Sequence, residues 1–131
     1  MKDGELEVYI QMSKTFKIID RLKSFQFAFA GIWTLLKTQH NAWIHLAVTI
    51  LVIGCGIYFG LSLIEWSVIV LAIMAVWVAE AFNTAVEFLA DYVSTERHPL
   101  IKQAKDVAAG AVLITAAGAA IIGIILFYSH A

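Results

Sequence analysis

The sequence predicts an all-α integral membrane protein: three transmembrane helices, preceded by an amphipathic surface helix. Three observations carry that prediction. The chain is 61% hydrophobic and 15% charged, with a mean hydropathy of +0.83; soluble domains are nearer half apolar and about a quarter charged. Uncharged runs cover residues 46–64, 66–79 and 107–129. The basic residues are distributed unevenly between the ends of those runs. With 131 residues, the chain has room for a single domain.

Taken in order, residues 1–12 are polar and read as a flexible N-terminus. Over residues 13–37, Lys14, Lys17, Arg21 and Ser24 recur at helical spacing, with Phe16, Ile19, Leu22, Phe25 and Phe29 on the other side. A basic face opposite an apolar one suits a helix lying on an anionic leaflet. A bundle helix packed against the spans shows the same pattern. The spans are expected at about 42–64, 66–93 and 104–128, since a crossing needs about 20 apolar residues. The second reaches that length only if its helix continues through Glu80 and Glu87. Nothing breaks it, because residues 65–96 contain neither Gly nor Pro. Gly56 and Gly60 form a GxxxG, and the third span is dense in Ala and Gly; both features permit close helix contact.

Lysine and arginine set the orientation. Lys2, Lys14, Lys17, Arg21, Lys23 and Lys37 precede the first span, and Arg97, Lys102 and Lys105 lie between the second and third. The link at residues 60–65 and the tail after Phe127 carry none. The N-terminus and the second loop are therefore expected in the cytoplasm. A formal net charge of -1, with no long basic run and no zinc-like Cys/His spacing, argues against nucleic acid as a partner. The lone Cys55 cannot form an internal disulfide. Residues 1–24 are too polar for a cleavable signal peptide.

The second span poses the chemical question. At roughly 100° per residue, Glu80, Asn83, Glu87 and Asp91 fall within one stripe of the helix, with Thr84 beside it. Counting about 1.5 Å per residue from Glu65, Glu80 lies roughly 22 Å inward, just inside the inner edge of a hydrocarbon layer about 30 Å thick. Glu87 then lies at headgroup level and Asp91 in the cytoplasmic interface. Lys105 and Asp106 open the next, antiparallel span at the same level. An intramembrane carboxylate is costly and by default points to function. A buried carboxylate suits a general base. Carboxylates with an amide suit Mg²⁺, which prefers oxygen ligands. A lysine can neutralise phosphate charge. Together these are parts for moving a phosphoryl group from a cytosolic nucleotide to a lipid hydroxyl.

Taken singly, the residues have plainer readings. Glu80 could be a protonated packing residue, Lys105–Asp106 an interfacial cap, and Glu96 and His98 solvated loop residues. His45, near the start of the first span, reads as an interfacial anchor. A proton-coupled transporter using Glu80 would also place a carboxylate here, but it does not need the rest of the stripe. A non-catalytic membrane subunit suits the dense small residues of the third span, but the polar stripe is an unnecessary cost there.

The stretch "EAFNTAVEFLAD" resembles the signature of the small prokaryotic diacylglycerol kinases, E-x-x-N-[ST]-A-x-E-x-x-x-D. "ERHPLIKQAKDVAAGAVL" resembles their second block, and "SFQFAFAGIWTLLKTQHNAWIHL" their surface helix and first span. The N-terminal and second blocks are nearer the undecaprenol kinase branch. The resemblance spans roughly residues 21–128 and implies a homotrimeric lipid kinase of the bacterial inner membrane. Such an enzyme transfers the γ-phosphate of ATP, with Mg²⁺, to diacylglycerol or undecaprenol, at a site between adjacent subunits. By position in the motif, Glu80 is the implied catalytic base, and Asn83 and Asp91 belong to the supporting polar face. Glu87 is an implied metal ligand that also lies near ATP. Glu96, Arg97, His98, Lys105 and Asp106 are the implied nucleotide contacts. The chain departs from the family at Gln39, where many members have a second metal-binding glutamate. It departs again at Trp43, where many are basic, and at Asp20, which stands in the register of a nucleotide-contacting arginine.

Overall fold

The computed structural model describes residues 2–14 and 18–131. They form five helices: α1 (Asp3–Lys14), α2 (Ile18–Thr38), α3 (His40–Phe59), α4 (Leu63–Val93) and α5 (Pro99–His130). The chain falls into two compact units, Met1–Thr34 and Leu35–Ala131.

In the first unit, the stretch expected to be flexible contains a helix, α1. Asp3 and Glu5 lie in its first turn, where carboxylates favour the positive end of the helix dipole. The Glu5 carboxylate also accepts from the Lys2 backbone N–H at 3.2 Å. α2 covers Ile18–Thr38 of the segment expected as one amphipathic helix, and Lys14 ends α1; Phe16 and Lys17 lie outside the described residues. Ile19, Leu22, Phe25 and Phe29 are all exposed, so the apolar face of α2 has no cover within its own unit.

The second unit holds three helices long and apolar enough to cross a membrane. Their ends follow from local chemistry. α3 stops at Phe59 rather than near residue 64 because Gly60 takes the left-handed conformation (φ 67°, ψ 53°), and the next N–H, from Leu61, returns to the Gly56 carbonyl at 3.1 Å. α4 begins at Leu63 through a capping box. The Glu65 N–H donates to Ser62 Oγ at 3.3 Å, and the Ser62 N–H donates to Glu65 Oε2 at 2.8 Å. α5 begins at Pro99, earlier than expected. Proline is pre-set for the first helical position, and His98 Nδ1 accepts from the Leu100 N–H at 3.2 Å. As the sequence requires, α4 runs unbroken through Glu80 and Glu87 for 31 residues, about 46 Å.

α4 and α5 form an antiparallel hairpin fastened at both ends. Lys105 meets Asp91 at 3.1 Å beside the connecting loop, and His130 meets Glu65 at 2.9 Å at the far end. α3 packs more sparingly on both. One polar tie joins it to α4: Trp77 Nε1 donates to Thr49 Oγ1 at 3.1 Å. Large apolar residues such as Leu63, Leu113 and Ile114 face outward, whereas Glu80, Asn83 and Thr84 are buried. In hydrocarbon, apolar side chains gain nothing by hiding, so packing and polar contacts hold helices together.

The two glycines of the GxxxG act inside one helical hairpin. Gly60 ends α3, and Gly56 makes room for the Trp66 indole of α4. A Cβ on Gly56 would stand 2.7 Å from Trp66 Cη2 and 3.1 Å from Leu61 Cδ1. In contrast, a Cβ at Gly110, Gly118 or Gly123 of α5 would meet nothing within 4 Å. The small residues of α5 make no close helix contact at those positions within this chain. Gly56→Ala should destabilise the folded protein by about 1–3 kcal/mol through overpacking. Thermal unfolding in detergent measures this; an unchanged midpoint would show that Trp66 yields without cost.

Candidate functional site

The site is built on α4. Its helical period brings Glu80, Asn83 and Thr84 to the face turned toward the rest of the unit, and all three are buried. Glu80 is 0% exposed. His45 of α3 faces it, with Nε2 3.4 Å from Glu80 Oε2. Trp77, just under one turn before Glu80, sets its ring edge toward His45 at a centroid distance of 6.3 Å. The Trp77 N–H binds Thr49, one turn beyond His45 on α3. The imidazole is therefore held by the same α3–α4 contact that encloses the carboxylate. Both Glu80 oxygens, His45 Nε2, Asn83 Oδ1 and Thr84 Oγ1 are buried without a well-formed hydrogen bond. An ionised carboxylate removed from water costs several kcal/mol unless it is paired. Among the described residues, His45 is the basic group within ion-pair range of Glu80.

His45, read from the sequence as an interfacial anchor, meets Glu80 across the α3–α4 contact, a partnership that the sequence reading missed. The signal was available. The depth count that puts Glu80 just inside the inner hydrocarbon edge puts His45, early in α3, at a similar level.

One turn on from Glu80, Asn83 Nδ2 lies 3.5 Å from Glu87 Oε1, and Glu87 is half-buried. Asp91, exposed at the end of the stripe, accepts from Lys105. Around this end opens a cavity of about 900 Å³, lined by Asp91, Glu96, Arg97, His98, Lys105 and Asp106 among others. Six of the residues expected at the site therefore share one cavity at the α4–α5 loop. Its size suits a small-molecule site.

Glu80, Asn83 and Glu87 do not line that cavity. Glu80 lies about 16 Å deeper along the helix than Asp91. Asn83 borders a separate, mainly apolar space of about 660 Å³ between α4 and α5. Gln39 stands at the N-cap of α3, but its side chain makes no cap bond, and its Nε2 lies 3.5 Å from Thr38 Oγ1. Nor is Lys105 free to meet an anion, because it pairs with Asp91, while Lys102 pairs with Asp106.

Among the described residues, no three His, Cys, Asp or Glu side chains are grouped as a metal cage. Between Glu80 and Asp91 the stripe offers one carboxylate, Glu87, and the unpartnered buried Oδ1 of Asn83. That set does not fit a resident cation held by protein alone. It fits Mg²⁺ arriving on phosphate, because this ion keeps waters and takes one or two carboxylates plus substrate oxygens.

The family model for prokaryotic diacylglycerol kinase matches residues 26–127. The chain is 43% identical over 105 residues to the undecaprenol kinase of Bacillus subtilis, covering 80% of this chain and 85% of that one. It is 40% identical over 103 residues to a diacylglycerol kinase of Synechocystis, covering 78% of this chain and 59% of the relative. A diacylglycerol kinase of Helicobacter pylori is 30% identical over 106 residues, covering 76% and 83%. The chain belongs to the prokaryotic diacylglycerol kinase family. It is a bacterial membrane lipid kinase, and family membership sets aside the transporter and non-catalytic readings.

The Lys105–Asp91 bridge of this kinase has its acid 70% exposed and its base 39% exposed. Water screens such a pair, and it contributes about 0–1 kcal/mol. Asp91→Asn should therefore shift unfolding stability by no more than about 1 kcal/mol in a denaturant titration in mixed micelles. A larger loss would make the bridge a principal fastening of the hairpin.

Proposed function

We propose that this chain transfers the γ-phosphoryl group of ATP to the primary hydroxyl of a membrane lipid alcohol at the cytoplasmic interface. Undecaprenol is the first candidate and diacylglycerol the second. The supporting observation is the single polar stripe of α4. It links an open cavity of mixed charge, at the loop, to a carboxylate with no exposed surface. The two ends of the stripe suit the two substrates, a water-soluble nucleotide and a lipid alcohol. The preference for undecaprenol rests on the Bacillus relative, which combines the higher identity with the fuller coverage.

The roles follow from chemistry. Arg97, which has no ion pair among the described residues, and Lys105, released from Asp91, receive the phosphates. Glu96, His98 and Asp106 border the rest of the nucleotide. Glu87, with the Asn83 and Gln39 carbonyl oxygens, would hold Mg²⁺ brought in on ATP; when bound, the ion supplies charge neutralisation at the β- and γ-phosphates. Asn83 orients Glu87, and Asp91 holds Lys105 until phosphate displaces it. Glu80 takes the proton of the lipid hydroxyl as its oxygen attacks phosphorus and ADP leaves. Phosphoryl transfer depends on positioning and charge neutralisation more than on covalent chemistry by the protein. The deep burial of Glu80 keeps competing water from the acceptor.

In this reading the N-terminus and the α4–α5 loop face the cytoplasm. The basic face of α2 lies on the anionic leaflet, and its apolar face dips into the membrane lipids. The open glycines of α5 leave room for the helices of a homotrimer.

The test is phosphorylation by purified protein in mixed micelles, with undecaprenol and diacylglycerol offered in competition. Glu80→Gln should lower kcat by about 10²–10⁴-fold with the assembly retained. Near-normal turnover would remove Glu80 from the base role. Glu87→Gln should raise the Mg²⁺ concentration needed for half-maximal rate, and an unchanged Mg²⁺ requirement would remove Glu87 from the cation site.

A further inference from the structure

Glu80 has no surface of its own. Its side chain is 1% exposed, while that of His45 is 17% exposed. His45 also lines a mainly apolar groove of about 590 Å³ between α3, α4 and α5, and Glu80 does not. Along that groove the imidazole and Thr49 are the polar groups, among residues such as Val48, Ile73 and Phe127. A lipid hydroxyl approaching from the membrane side therefore meets the imidazole before it can meet the carboxylate.

We propose that His45 is a catalytic proton relay between the lipid hydroxyl and Glu80. This rests on Glu80 being the final proton acceptor. In the proposed step Nε2–H is the donor to Glu80 Oε2, 3.4 Å away, and Nδ1 is the acceptor. The lipid O–H bond breaks as its proton goes to Nδ1, and the Nε2–H bond breaks as that proton goes to Oε2. The lipid oxygen forms its bond to the γ-phosphorus, and the bond from phosphorus to ADP breaks. The imidazole ends neutral in its other tautomer, and Glu80 ends protonated. The negative charge leaves the interior with the phosphoryl products. The step is suited to a buried site because no imidazolium forms without a partner, and an unpaired charge in such a place is costly. Trp77, itself tied to Thr49, packs against the imidazole in an edge-to-face contact.

The relay separates from simple positioning through His45→Gln. A glutamine amide can still donate toward Glu80, but it cannot pass a proton. With a relay, His45→Gln and His45→Ala both lose kcat by about 10²–10⁴-fold, with KM for ATP unchanged. Added imidazole then restores turnover in His45→Ala. In the wild-type protein, nitrogen NMR should show His45 as the Nε2–H tautomer. Its signal should shift on Glu80→Gln while those of His40, His98 and His130 stay in place. Near wild-type kcat in His45→Gln, with Glu80→Gln inactive, would overturn the relay and leave Glu80 as the base. Full turnover in Glu80→Gln would overturn the reading beneath both. If His45→Ala does not fold, the glutamine variant and the wild-type tautomer still decide.

Discussion

A carboxylate enclosed within a helix long and apolar enough to cross a membrane is the constraint on which the rest of this structure turns. Glu80 has no exposed surface, and its partner in range is His45, on another helix. Desolvating that group is tolerable only if a proton or a donor is held within reach. This requirement fixes where α3 must cross α4. The Trp77–Thr49 bond and the edge contact of Trp77 with His45 secure the crossing. The seat that Gly56 provides for Trp66 secures the two helices near the opposite end. Polar and steric details, and not hydrophobic burial, bring these helices together, because apolar residues gain nothing by leaving lipid for protein.

The hairpin of α4 and α5 answers a second need. A kinase for a membrane lipid must bring a water-soluble nucleotide and an insoluble alcohol to one reaction. An unbroken helix of 31 residues spans both environments. Its C-terminal end borders a charged cavity, and its buried part carries the acid that meets His45. The pairs Lys105–Asp91 and Lys102–Asp106 engage the two lysines beside that cavity. In the proposed reaction, nucleotide binding would exchange the Lys105 ion pair for one with phosphate.

Several elements were legible in the residues. The stripe Glu80, Asn83, Glu87 and Asp91 follows from helical period alone, and the structure keeps α4 unbroken through it. The meeting of Asp91 with Lys105 follows from a short loop between antiparallel spans. Helix ends were harder. The Ser62–Glu65 capping box and the His98–Pro99 start are local signals, yet hydropathy windows blur them by several residues. The helix at Asp3–Lys14 was missed because polar composition resembles fraying, although Asp3 and Glu5 stand in its first turn. Gly56 and Gly60 carried a packing pattern whose use, one as a seat and one as a cap, depends on the backbone around each.

By itself, then, the sequence determined that the chain crosses a membrane three times and carries acids and an amide on one helical face. These are properties of composition and period, which neighbours in space do not alter. Tertiary structure decided which groups that face meets. His45 and Glu80 stand 35 positions apart in the chain, and no local rule pairs them. Their approach depends on the angle at which α3 crosses α4, set by Trp77, Thr49 and the room at Gly56. The sealing of Glu80 behind the imidazole arises only when both helices are in place, because burial belongs to the assembled bundle and not to any one segment of it.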